Sequence, residues 1–232
     1  MNQNNEMNEG AKVSLHSESF ATKPVYVLIG VLCVLLIINQ FFIIGISGSF
    51  VKKIEKVDIS QIKSTAQTLA SVFPLSQISD EQDAIDMLIA QGTPDYGESM
   101  GVSYDDPVGS LEKLAGAYPT VKKDVQTNNP EVWDRYLNLA TKPVGISCEY
   151  CCGIGPVGIT NDGELRCGCS HNPAIQTLTL LLMKDTDMSD AEVLQEAMKW
   201  KTLWFPRDMV GLALKTAGGD IETDLPGMVG GC

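Results

Sequence analysis

The chain has 232 residues, 29 acidic against 17 basic side chains, a formal charge of -12 and 44% hydrophobic residues. A surface of that sign repels phosphate backbones, which excludes nucleic acid as an expected partner and makes cations the natural counterparts. The 21 glycines and 11 prolines are too scattered for a low-complexity chain, and the length left after a tail and one apolar segment suits one domain with its own core.

Residues 1–23 hold three acids and two lysines and are expected to be a disordered tail. Residues 24–51 carry no charged side chain, and the run VYVLIGVLCVLLIINQFFIIGI meets the ~20 residues needed to cross a hydrocarbon core. A soluble helix of this length would show a polar face, whereas only Asn39 and Gln40 interrupt this one. The spacing therefore predicts a transmembrane helix over 24–51, with the bilayer as its partner. The run is too long for a secretory h-region and no clear cleavage site succeeds it, so an uncleaved signal anchor is expected. Lys12 and Lys23 precede it and Lys52, Lys53 and Lys56 come after it, a count that leans towards a domain inside. Short N-terminal anchors nevertheless commonly export the domain attached to their C-terminal end. The expectation is a single-pass protein of the cell membrane with its C-terminal domain outside the cytoplasm, and another membrane protein is a candidate partner.

Over 52–75, Ile54, Val57, Ile59, Ile62, Ala66, Leu69 and Val72 recur at helical spacing, predicting a juxtamembrane helix or stalk that Pro74 ends. Residues 76–232 read as a soluble helical domain. Ser79-Asp80-Glu81-Gln82 forms a capping box ahead of Ile85, Leu88 and Ile89, and Gly92 is placed to stop that helix. The stretch GTPDYGESMGVSYDDPVGS reads as an ordered loop. Its Asp95, Glu98, Asp105 and Asp106 lack the EF-hand alternation, so a solvated acidic loop is the simpler reading. Helices are expected at 110–117 and from Asn129, where Pro130 takes the first turn ahead of Val132, Trp133, Tyr136, Leu137 and Ala140. Asn172-Pro173 opens another through Ala174, Ile175, Leu178, Leu181, Leu182 and Met183. A second capping box, Ser189-Asp190-Ala191-Glu192, opens the next, through Val193, Leu194, Met198, Leu203 and Trp204, which Pro206 stops. A last short helix at 209–216 ends at Gly218-Gly219. Met188, Met198 and Met209 are read as core filling in preference to copper ligands.

Of seven cysteines, Cys33 lies in the apolar run. The other six read Cys148-Glu-Tyr-Cys151-Cys152, fourteen residues on Cys167-Gly-Cys169-Ser-His171, and finally Cys232. Between the two groups Asn161-Asp162-Gly163 is a tight-turn signal flanked by Val157, Ile159 and Leu165, which predicts a small β-hairpin. The fold class expected is therefore mainly α with that hairpin, α+β, and the hairpin would bring the two groups together. Cys148, Cys151, Cys152, Cys167, Cys169, His171 and Cys232 are the candidate metal ligands. Thiolates from CxxC and CxC with an imidazole suit a tetrahedral soft-donor site, for zinc by default or for copper, with iron–sulfur less favoured. The helix expected to start at Pro173 would favour thiolate at its positive end.

Two alternatives stay open. Six cysteines in an exported domain also suit a disulfide framework stapling an interaction module, although Cys151–Cys152 and Cys167–Cys169 are too close for relaxed bridges within each group. Cys148 and Cys151 could also form a thiol–disulfide exchange pair, but no thioredoxin-like βαβ alternation accompanies them. There is no Gly-x-Ser-x-Gly elbow, His-Glu-x-x-His pair or phosphate-cradling glycine loop, and catalysis is not expected.

The segments Ile146-Ser-Cys-Glu-Tyr-Cys-Cys-Gly153, Cys167-Gly-Cys-Ser-His-Asn172 and Lys199-Trp-Lys-Thr-Leu-Trp-Phe-Pro206 together resemble a group of membrane-anchored cysteine-rich proteins from archaea and candidate bacterial phyla. The chain is also loosely similar to small lipoproteins bearing a Cys-Tyr-Cys-Gly-Cys motif, from which it departs in having an apolar run in place of a lipidation cysteine. The resemblance covers about residues 130–232 and implies an architecture, an anchor followed by an outward cysteine/histidine domain, without implying an activity.

Overall fold

A computed structural model describes residues 26–35, 57–219 and 223–231, and the chain divides into two units, Met1–Lys53 and Ile54–Cys232. In the first unit the described part is a helix over 26–35, whose side chains Tyr26, Val27, Leu28 and Leu35 are exposed. The transmembrane expectation is corrected on this point: among the described residues no helix is long and apolar enough to cross a membrane. The tail over 1–23 and the remainder of the run over 24–51 lie outside the described residues.

The second unit is helical. Its longer helices are α1 (Thr65–Val72), α2 (Glu81–Leu88), α3 (Pro107–Asn128), α4 (Pro130–Ala140), α5 (His171–Asp185), α6 (Asp190–Trp204) and α7 (Pro206–Ala217). α5 runs through the middle, with α3, α4 and α6 packed around it, while α7 closes against α6, α1 and α2. A helix packed against neighbours on several sides buries apolar residues on more than one face. Accordingly Ala174, Ile175, Leu178, Leu180 and Leu182 of α5 are at most 1% exposed. Trp200 and Trp204 of α6 are likewise buried, with ring centroids 5.7 Å apart.

The expected β-hairpin does not form: the described residues hold no strand, only isolated bridges pairing Ile146 with Val157 and Ile159 with Leu165. The turn itself is real. The Thr160 amide donates to the Glu164 carbonyl at 2.8 Å, and the Gly163 amide to the Thr160 carbonyl at 2.9 Å. Gly163 has φ +82°, and a Cβ there would lie 2.5 Å from the Trp133 ring, so only glycine fits. The arms are too short to propagate a ladder, because after one bridge the chain leaves towards Gly158 and Pro156 on one side and the cysteines on the other. The fold class is mainly α without the hairpin.

Other differences are local. The stretch expected as a continuous stalk helix is a 3₁₀ turn, Ile59–Gln61, followed by a break at which Ser64 caps α1 through the Gln67 amide. Ile62, Leu69, Val72, Phe73 and Leu75 from this stretch are buried in the domain core. Asp80, not Ser79, caps α2, and the Asp83 carboxylate accepts from the Ser79 amide in return at 2.8 Å. α3 continues through Pro119 to Asn128, well past the expected end at 117. Pro119 forfeits an amide bond, but Leu111, Leu114, Tyr118 and Val125 all point into the core and hold the helix in one piece. Asp106 of the acidic loop caps α3 and Asp105 accepts from the Gly92 amide at 2.8 Å, so these acids organise the loop. The Ser189 box forms with both reciprocal bonds. Pro206 stops α6 and at the same time occupies the first turn of α7, which Gly218 terminates at φ +90°.

Candidate metal centre

Cys148 caps a single helical turn, Glu149–Cys152, that Gly153 ends in the left-handed region at φ +66°. In that turn Cys148, Cys151 and Cys152 stand at i, i+3 and i+4, a spacing that puts three sulfurs on one side. The second group arrives just ahead of α5: Cys167 and Cys169 flank Gly168, Ser170 caps the helix and His171 is its first residue, two positions earlier than the sequence predicts.

The two groups are held together by polar side chains of α5. The Asn172 amide donates to the carbonyls of Gly158 at 2.9 Å and Cys167 at 3.2 Å. Gln176, one turn on, donates to the Ile146 carbonyl at 2.9 Å and to Asn172 Oδ1 at 3.2 Å, and accepts from the Tyr136 hydroxyl at 2.9 Å. Asn172 and Gln176 are fully buried, so each bond is made away from water, where an unmet partner is costly.

The Sγ atoms of Cys148, Cys152, Cys167 and Cys169 lie within 4.8 Å of one another, close enough for one ion. Cys151, Cys169 and His171 form a second group within the same limit. Six of the seven ligands expected from sequence are thus brought together, and Cys232 lies outside the described residues. Cys152 and Cys167 are joined as a disulfide with Cα atoms 6.7 Å apart, while Cys148 and Cys169 are not disulfide-bonded. The chain therefore carries two chemistries on one set of sulfurs: a cross-link between the loops, and a four-thiolate group once that link is reduced.

Electrostatics separate the candidates. The Cys148 thiol is wholly buried, and burial, followed by the neighbouring Cys169 and Cys151 sulfurs, pushes its pKa well above the ordinary thiol range. Burial of that kind makes a poor nucleophile, and a bound cation favours the thiolate. His171 is 1% exposed and its pKa is lowered by burial, partly offset by its bond to the Val229 carbonyl. That carbonyl lies 3.0 Å from Nε2 and can only accept, so Nε2 carries the proton. Nδ1 is left as a buried lone pair with no hydrogen-bond partner. The rings of Phe205 and Trp204, 4.7 and 6.1 Å away, wall the imidazole.

Beneath the first loop Lys201 is 0% exposed, donates to the Gly145 carbonyl at 2.9 Å and pairs with Glu149 at 3.2 Å. Burial lowers its pKa to about 8 against the opposing pull of Glu149 and of Cys148. Glu149 also accepts from Thr65 of α1 at 2.9 Å. A divalent ion in four thiolates carries net negative charge, and Lys201 supplies buried positive charge beside it. None of Lys201, Glu149, Asn172, Gln176 or Val229 is singled out by the cysteine pattern. The usable signals are Lys201 on the apolar face of α6, at helical spacing from Ala197 and Trp204, and an Asn/Gln pair at i, i+4 on the same helix as Ala174, Ile175 and Leu178.

The fold and site define a helical domain with a cysteine cluster able to hold a metal ion. No family model, no curated protein and no solved structure matches the chain.

Proposed function

We propose that this chain is a metal-binding domain whose ion, zinc or copper, is held by Cys148, Cys152, Cys167 and Cys169, in a structural or metal-handling role and not a catalytic one. The observation that carries the reading is the convergence of four sulfurs within 4.8 Å, from two loops clamped to one helix. Four thiolates around a d10 ion match the donor set that zinc and Cu(I) prefer. A cell-membrane location, with the domain outside the cytoplasm, is proposed on the composition of residues 24–51 alone, and fractionation with protease protection of sealed cells tests it.

The full chain purified under reducing, anaerobic conditions is expected to carry stoichiometric zinc or copper by elemental analysis, with the ligand thiols unreactive until a chelator is added. Protein isolated without metal and lacking two titratable thiols would instead favour a disulfide-stapled interaction module, the second reading, which the Cys152–Cys167 link supports. The exchange-dithiol reading fares worse, because Cys148 is fully buried and its pKa is raised, opposite to what a reactive cysteine needs.

A further inference from the structure

The four-thiolate reading leaves Cys151 and His171 without a role, although the fold places both beside Cys169 with ligand atoms within 4.8 Å of one another. Cys169 belongs to both groups. His171 is prepared as a ligand in a specific way: its Nε2–H is committed to the Val229 carbonyl at 3.0 Å, and Nδ1 is a buried lone pair with no donor to meet it. Metal-bound histidines habitually give their second ring N–H to a carbonyl or carboxylate, which fixes tautomer and orientation. The carbonyl comes from the segment over 223–231, whose Val229 amide donates to the Trp204 carbonyl at 2.8 Å, so the orienting group is itself tied to the end of α6. At Gly230, φ is +81° and a Cβ would lie 2.6 Å from Leu111, so a glycine lets this segment close over the site.

We propose that the cluster is a two-ion centre in which the Cys169 thiolate bridges the ion of the four-cysteine group to a second soft or borderline ion, Zn²⁺ or Cu(I), held by Cys151, Cys169 and His171. The inference rests on the metal-binding reading above. Among the described residues the second ion has three protein ligands, Cys151, Cys169 and His171, and a tetrahedral ion takes one further donor.

The experiment is native mass spectrometry and elemental analysis of the full chain loaded with Zn²⁺ under reducing, anaerobic conditions, with X-ray absorption at the zinc edge. Two ions per chain are expected, with an imidazole nitrogen among the ligands and a metal–metal vector. Cys151→Ser is expected to bind one ion and His171→Ala to bind one ion without the nitrogen signal. Wild-type protein that saturates at one ion in an all-sulfur environment overturns the two-ion centre and leaves the four-cysteine reading standing. Protein that takes up no zinc overturns both. The wild-type count and spectrum decide the matter even if either variant fails to fold.

Discussion

Lys201 is the residue whose environment asks most of the fold. Its ammonium is fully buried and is met by one carboxylate and one carbonyl, and Glu149, its partner, is 14% exposed. Pairs of this kind contribute little net stability but are costly to break, because removing one member strands the other charge. Lys201→Met is therefore expected to destabilise the domain by about 3–5 kcal/mol in denaturant unfolding. Adding Glu149→Gln should recover a large share of that loss, and a double variant no more stable than the single one would show that Glu149 is not the stranded charge. Because Lys201 also interacts with Cys148, Lys201→Met in folded, reduced protein should weaken metal uptake. A chromophoric chelator competition measures this.

Among the elements, α5 joins the core to the cluster: its apolar residues are buried against α3, α4 and α6, while Asn172 and Gln176 reach the backbone of both cysteine loops. Asn172→Ala removes the bonds to Gly158, Cys167 and Gln176 at once. The expected cost is about 2–3 kcal/mol, together with metal affinity weakened about 10- to 100-fold, the range for groups that orient ligands. Ser189→Ala at the start of α6 is the contrasting case. It breaks a capping box at the exposed end of the helix and should cost about 1 kcal/mol by thermal melting while leaving metal stoichiometry unchanged. Equal loss of metal in both variants would mean that uptake simply tracks global stability. These elements differ in how far the sequence discloses them. The Ser189 box is local chemistry and forms as read, whereas α3 outruns Pro119 because long-range packing on α5 outweighs one missing amide bond.

For the molecule as a whole, buried tyrosines set the alkaline limit. Tyr96, Tyr104, Tyr136 and Tyr150 have pKa values raised above the ordinary 10.0, burial being the largest cause in each, and Tyr118 is pushed up to about 12. Tyr96 and Tyr104 also face the Glu196 carboxylate, which adds to their shift. Above pH 10 the unfolded chain releases these protons and the folded one retains them. The native state then binds more protons, and stability falls as pH rises, by up to about 1.4 kcal/mol per pH unit for each tyrosine. Lys201 works the other way. Its folded value of about 8 lies below 10.5, so its contribution rises with pH across that window. One lysine against several tyrosines leaves the loss dominant above pH 10. Denaturant midpoints of metal-loaded protein should decline from there, and a flat profile to pH 11.5 would show that these phenols are solvated.

Much of this architecture is written locally. The helix cap at Ser189, the proline that opens α4, the turn at Asn161-Asp162-Gly163 and the two cysteine groups can be read because each depends on neighbours within a few residues, and the acidic charge that argues against nucleic acid follows from composition. What the tertiary structure alone decided is of a different kind. It made the turn a bare reversal without strands, drew residues 59–75 into the core where a stalk had been expected, and put Lys201 under the first loop. It also set Val229 against the imidazole and left Nδ1 as an unmatched lone pair. Those outcomes depend on contacts between segments tens of residues apart, where packing and the need to satisfy buried polar groups prevail over any local preference.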